Sequence, residues 1–192
     1  MSDGKIRGAA EWRMIGAHNA ENAVAALIAA HVLGVSVDQA VAAIGRFGGV
    51  RRRLELRGMW GGVSLYDDFA HHPTAIKRTI TGVRRDAPDG RLLVILEPRS
   101  NTMKLGIHGD RLAAALYDAD EVWVFRAAEL SWDPAEALRS LPCVNVSDDI
   151  DSLVASVIAR AMPGDKLVVM SNGGFGGIHG LLEAGLSARF PG

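Results

Sequence analysis

Cysteine is almost missing from the 192 residues: Cys143 stands alone. No internal disulfide can form, as expected of a reducing compartment, and nothing near Cys143 suggests a catalytic thiol, so it reads as a small core residue. Long hydrophobic runs are also missing. Leu92 to Leu96 and Leu167 to Met170 are among the longest, far short of the roughly 20 residues that cross a bilayer. The opening MSDGKIRGAAEWR has no apolar centre of secretory type. These absences lead us to expect a cytoplasmic protein with no membrane partner. An excess of charge is lacking too: 21 Lys and Arg face 22 Asp and Glu, which argues against a nucleic-acid partner. Aromatics are sparse, and Trp12, Trp60, Trp123 and Trp132 read as packing residues.

What is present is apolar patterning. Hydrophobic residues make up 48% of the chain, and this length buries roughly 70% of its unfolded surface. Residues 5 to 16 alternate weakly and predict a strand ending at Gly16. Asn19 then caps a predicted helix from Ala20 to Leu33, and Ser36 opens another from Val37 to Ile44. Glycines 45, 48 and 49 break the chain before Arg51, Arg52 and Arg53. Period-two alternation follows, predicting a hairpin in which Leu56 faces Leu65 and Arg53 faces Asp68. Beyond it, helices are predicted at 74–85, 108–118, 134–139, 149–161 and 176–188, with strands at 92–96, 121–125, 142–146 and 166–170. Continuous apolar strands separated by helices imply an α/β fold, a doubly wound, mostly parallel sheet covered on both faces, with a β-hairpin at its start.

In such a fold the loops after the strands share one edge of the sheet, and here those loops carry the polar chemistry. Asp67-Asp68-Phe69-Ala70-His71-His72-Pro73-Thr74 sits between a strand end and a helix start. It admits a metal site, a simple helix cap by Asp68 or Thr74, or a nucleotide or phosphate contact. Adjacent carboxylates on extended chain point opposite ways, which disfavours one shared ion, and Arg53 nearby favours the phosphate contact. Glu97 to Gly106 concentrates Arg99, Ser100, Asn101, Thr102 and Lys104 beyond a buried strand, more donors than a connector needs. In Met170 to Gly180 the glycines allow backbone amides to approach a ligand. Asn19 and Asn22 lie one helical turn apart, so both amides can face one ligand.

Together GAHNAENA (16–23), RRRLEL (51–56), YDDFAHHPTA (66–75), EPRSNTMKLG (97–106), LSWD (130–133) and MSNGGFGGIH (170–179) resemble, in order and over nearly the whole chain, the Mur ligase family. EPRSNTMK and SNGGFGGIH look like the branch that recycles murein peptides. The resemblance implies a bacterial enzyme of peptidoglycan recycling that uses ATP with Mg2+ to join UDP-N-acetylmuramate to the murein tripeptide L-Ala-γ-D-Glu-meso-diaminopimelate. It implies adenine contacts by Asn19 and Asn22, a ribose contact by Asp68, and a ribose and phosphate contact by Arg53. His71 and His72 match histidines near the reacting centre, so that His71, His72 and Arg53 form the implied catalytic set. Arg99, Ser100, Asn101, Lys104 and Asn172 match the peptide-holding positions, and no residue matches a metal ligand. Residues 1–47 resemble the helical tail of a central ATPase domain and 48–192 a complete C-terminal, Rossmann-like, peptide-binding domain. The phosphate-binding motif GxxxxGK[ST] occurs nowhere in the sequence. We therefore expect the chain to need domains supplying the UDP-sugar site and the phosphate loop, and to be inactive alone. A murein-peptide or nucleotide-binding module without catalysis, or the corresponding part of the L-alanine-adding member, remain the other expectations.

Overall fold

The computed structural model describes residues 8–12, 14–107 and 109–191. Two helices come first, α1 (Ala17–Val32) and α2 (Val37–Gly45), followed by the hairpin β1 (Glu55–Trp60) and β2 (Val63–Asp68). Then come α3 (Pro73–Asp86), β3 (Leu92–Leu96), a short α4 (Asn101–Lys104), α5 (Gly109–Leu116) and β4 (Glu121–Phe125). The chain ends with α6 (Pro134–Ala137), β5 (Val144–Ser147), α7 (Ile150–Arg160), β6 (Lys166–Met170) and α8 (Ile178–Arg189). Six strands form one sheet in the order β1-β2-β6-β3-β4-β5, antiparallel between β1 and β2 and parallel elsewhere. No helix among the described residues is long and apolar enough to cross a membrane.

The apolar strands are explained by burial on both faces. Tyr66, Val94, Leu96 and Val168 pack with Ile76 and Ile80 of α3 and with Leu112 and Leu116 of α5. Their strand neighbours Leu65, Leu93, Ile95 and Val169 pack on the other face with Leu153 and Val157 of α7 and Leu182 and Leu186 of α8. Each such side chain contributes about 1.5–3 kcal/mol by leaving water. The same alternation extends one step beyond the core at the end of β2. It sends Asp67 to the α8 side and Asp68 to the α3 side, where each meets different partners. At the opposite end of the sheet, Arg91 grips Asp165 through Nε (3.0 Å) and Nη2 (2.7 Å) and reaches Glu121 through Nη1 (3.0 Å). Arg160 also donates to Glu121. That end is closed by structural ion pairs, leaving the polar loops at the other end.

Several sequence-based expectations need correction. Of the predicted strand at 5–16, residues 5–7 and 13 lie outside the described residues, and 8–12 with 14–15 form no strand. Asn19 does not cap α1: the helix starts at Ala17 behind Gly16, and Asn19 sits inside the first turn with Nδ2 donating to Ile15 O at 2.7 Å. The hairpin turns at Gly61-Gly62, with Trp60 paired to Val63, so Gly58 faces Leu65; a bulge between Leu56 and Gly58 then inserts Arg57 and sets Leu56 opposite Tyr66, and Arg53 precedes β1 instead of facing Asp68 within it. The predicted helix 108–118 is α5 alone, at Gly109–Leu116, preceded by the separate short helix α4, with position 108 outside the described residues. The last helix begins at Ile178, because Gly176 and Gly177 take positive φ. Strand β5 is shifted to Val144–Ser147, leaving Cys143 half-buried in the connection before it.

α1 is barely packed. Of its 16 residues only Asn19 is buried, while Val24, Ile28 and Val32 are exposed. Its start is nevertheless seated on α3: a Cβ on Gly82 would lie 3.0 Å from the Gly16 Cα, closer than most side chains approach a backbone.

Candidate functional site

Registered pairing brings the ends of three strands side by side, with Asp68 beside Met170 and Met170 beside Leu96. The polar segments after β2, β3 and β6 therefore emerge together. Next to them, between α1 and α2 on one side and α3 on the other, opens a cleft of about 960 Å³, ample for a nucleotide-sized ligand. Asn19, Asn22, Arg53, Asp68 and His72 all line it, and so does Trp12. Sequence reasoning had placed Trp12 among packing residues; its position in the cleft was not legible because it depends on how the α1 segment folds back onto α3.

Asp68 organises the cleft floor. It is only 4% exposed and accepts hydrogen bonds from Leu54 N (2.7 Å), Ala70 N (2.8 Å) and Thr79 Oγ1 (3.2 Å). Burial pushes its carboxyl above the usual aspartate value, and the three donors with the nearby Arg53 charge offset only part of that. Arg53 lies in a tight turn whose flanking residues, Arg52 and Leu54, both take positive φ, at 58° and 52°. Non-glycine residues hold that conformation only when their surroundings enforce it. Here Glu55 Oε2 accepts from Arg52 N, Asp68 accepts from Leu54 N, and Phe69 N donates to Arg52 O. The turn thus presents the exposed Arg53 to the cleft, its guanidinium carbon 5.6 Å from the Phe69 ring centre.

The two histidines part. His72 lines the cleft and its Nδ1 caps α3 by accepting from Thr74 N at 3.3 Å, the role the sequence had offered to Asp68 or Thr74. His71 turns back, with Nδ1 2.9 Å from Phe69 O and its ring edge-on to Phe69, and it does not line the cleft. Asn19 is held by its bond to Ile15 O, which leaves its side-chain carbonyl without a partner among the described residues. Asn22 stands on the same helix face, exposed.

A second cluster joins the loops after β3 and β6. Ser171 Oγ donates to Glu97 and accepts from Gly173 N. Arg99 reaches Glu97 Oε1 at 3.8 Å and lies flat on Gly173, where a Cβ would sit 2.5 Å from Arg99 Cδ. Asn172 Oδ1 is buried without a hydrogen-bond partner. Ser100 Oγ caps α4 through Met103 N, Asn101 is exposed at the first turn, and the Lys104 carbonyl accepts from both Ser131 N and Ser131 Oγ. Trp132 Nε1 donates to Met103 O. LSWD therefore braces the donor loop from behind.

Two residues that sequence reasoning did not single out bind this edge together. Arg52 donates through Nη2 to Ser171 O and Gly173 O, both at 2.7 Å, and its Nε lies 3.6 Å from Asp67 Oδ2. His179 Nε2 lies 3.1 Å from Asp67 Oδ1. Burial opposes the charge of Asp67, but His179, Arg52 and Arg57 together bring its carboxyl below the usual range. The alternation of Asp67 and Asp68 was the available signal for two separate roles. No group of three or more His, Cys, Asp or Glu arranged to hold a metal ion occurs among the described residues.

Residues 52–173 match the Mur ligase, glutamate ligase domain. The chain is 47% identical over 191 residues to the UDP-N-acetylmuramate–L-alanyl-γ-D-glutamyl-meso-2,6-diaminoheptandioate ligase of Escherichia coli K12, covering 97% of this chain and 41% of that protein. It is similar to the crystal structure of a murein peptide ligase from Psychrobacter arcticus, with a TM-score of 0.71 and 41% identity over 92% of this chain and 38% of that one. A UDP-N-acetylmuramate–alanine ligase from Thermotoga maritima shares the fold, with a TM-score of 0.80 at 20% identity, covering 97% of this chain and 42% of that one. The chain thus spans about two-fifths of the length of the relatives it matches. On its matched domain and its fold, the chain belongs to the Mur ligase family.

Proposed function

We propose that these residues form the C-terminal part of an ATP-dependent ligase that joins UDP-N-acetylmuramate to L-Ala-γ-D-Glu-meso-diaminopimelate. The observation that carries this reading is the convergence of Asn19, Asn22, Arg53 and Asp68, distant in sequence, on one cleft. The donors suit a nucleoside. The free carbonyl of Asn19 accepts from an exocyclic amine, Asn22 offers a second amide, Asp68 accepts from ribose hydroxyls, and Arg53 neutralises phosphate charge. His72 borders the same space. ATP would supply the activated phosphoryl group, while this chain's own contribution is positioning and charge neutralisation. Arg99, Asn101, Lys104 and Asn172 would hold the carboxylates and amides of the incoming peptide, with Ser100 fixing the helix that presents them. His71 would act by orienting Phe69 and the segment leading to His72.

We assign residues 1–47 to the end of a preceding domain. The exposed Val24, Ile28 and Val32 on α1 support this, since an apolar helix face of that kind is covered in a larger assembly. Mg2+ and the terminal phosphates would be held outside these residues, consistent with the absence of GxxxxGK[ST], and the chain alone would not ligate. The test is a graft: these 192 residues replace the matching segment of the Escherichia coli relative, and ADP release is followed with UDP-N-acetylmuramate and the tripeptide. Tripeptide-dependent turnover is expected. A folded graft that turns over only with free L-alanine, or with neither acceptor, would overturn the assignment.

A further inference from the structure

Arg52 is the residue the functional reading leaves over, and it is the better connected of the two arginines in its turn. Its neighbour Arg53 faces the nucleotide-sized cleft, whereas Arg52 points across the sheet edge and makes no use of that space. Its guanidinium meets four groups: the carbonyls of Ser171 and Gly173, both at 2.7 Å, the Asp67 carboxylate at 3.6 Å, and the Phe69 ring, whose centre lies 5.2 Å from the guanidinium carbon. Two carbonyls that flank one residue, Asn172, are therefore drawn to one nitrogen. The clamp itself is held, since Arg52 stands at φ 58° with its N–H bound to Glu55 and its carbonyl bound to Phe69 N. Asp67 in turn lies against His179, with Oδ1 3.1 Å from Nε2, and neither atom has a hydrogen-bond partner among the described residues.

We propose that Arg52 is a positioning residue: its fork fixes the backbone from Ser171 to Gly173, so that Asn172 and the Arg99 stem resting on Gly173 are presented in one geometry to the ligand. Ser171 is anchored at one end, its N donating to Asp68 O and its Oγ bonded to Glu97 and Gly173 N, but the glycines that follow have little to hold them. Glycine occupies positions 173, 174, 176 and 177, and Phe175 takes a positive φ of 43°. Glycine loses more conformational freedom on ordering than any other residue, so a clamp from outside the loop adds restraint where the loop's own side chains supply little. A fork with several N–H groups holds two carbonyls and a carboxylate at once, whereas a lysine ammonium keeps the charge without the planar geometry. The link to ligand binding rests on the reading of this loop as part of the peptide site; the link to loop order does not.

The test compares the chain with its Arg52→Lys and Arg52→Met variants by amide hydrogen exchange and by calorimetric titration with L-Ala-γ-D-Glu-meso-diaminopimelate. Both variants are expected to speed exchange at the Ser171, Gly173 and Gly177 amides at least tenfold, with amides of β3 and α7 unchanged. Unchanged exchange at those three amides in Arg52→Met, or full recovery in Arg52→Lys, would overturn the proposal, the second result showing that charge alone suffices. Exchange that rises equally in β3 and α7 would also overturn it, because Arg52 would then support the whole fold. Peptide affinity should fall at least tenfold in both variants. Should the unaltered chain not bind the peptide while exchange responds as expected, the peptide-site reading falls and the clamp stands.

Discussion

Replacing Asp68 with asparagine tests how the cleft floor is held. The carboxylate accepts from two backbone N–H groups and the Thr79 hydroxyl while almost wholly buried. An asparagine oxygen can keep one side of that arrangement. Its NH2 must then face the other, where Thr79 can rotate to accept but a backbone N–H cannot. One buried donor is left unsatisfied, costing about 2 kcal/mol, or about 1 M in the urea midpoint for a typical slope. Urea unfolding followed by the fluorescence of the four tryptophans measures it. The pH dependence sharpens the test. Because burial raises the folded-state value of Asp68 above 3.8, the stability linked to its bound proton is fully present below the unfolded value near 3.8 and is lost as pH rises through the folded value. The amide of the variant does not titrate. The gap between wild type and Asp68→Asn should therefore be widest near pH 4 and narrow toward pH 7. A loss under about 0.5 kcal/mol at pH 7, where the ionised carboxylate accepts all three bonds, or a gap that widens with pH, would refute the account of a carboxylate held against its burial.

Three further outcomes follow from particular contacts. Gly82→Ala should not give the usual gain of roughly 1 kcal/mol for glycine in a helix; the Cβ would press on the Gly16 backbone, so loss of stability by thermal unfolding is expected. Arg91→Met leaves the buried Asp165 short of its main partner and should cost about 3 kcal/mol in urea unfolding. Phe175→Ala empties a fully buried position beneath the glycine loop and should cost about 3–5 kcal/mol by the same assay.

The sheet was legible because its strands are short apolar runs and its helices have caps, with Ser36 as a clear case. The site was legible in its residue types, since polar side chains cluster at strand ends, but not in its partners. Asn19 reads as a cap because asparagine before an alanine-rich stretch suits one; the φ of 99° at Gly16 starts the helix earlier and turns Asn19 inward. Arg52 and Arg53 are indistinguishable in a run of three arginines. Their different partners follow from two left-handed backbone positions that contacts with Glu55, Asp68 and Phe69 help to hold. The bulge at Arg57 likewise leaves no mark in the period-two pattern.

The central claim is that this chain holds a nucleotide in the cleft between α1 and α2 on one side and α3 on the other, over Asp68. Its most direct test is a titration of the isotopically labelled chain with ADP, mapping resonance shifts and repeating the series with Arg53→Ala. The account predicts binding with Kd of about 1 mM, equivalent to about −4 kcal/mol. Shifts should concentrate on the Asn19 and Asn22 side-chain amides and on Leu54 and Ala70 N–H beside Asp68, with affinity reduced at least tenfold in the variant. Saturable shifts confined to the loops after β3 and β6, or no shifts at several millimolar ADP, would contradict it.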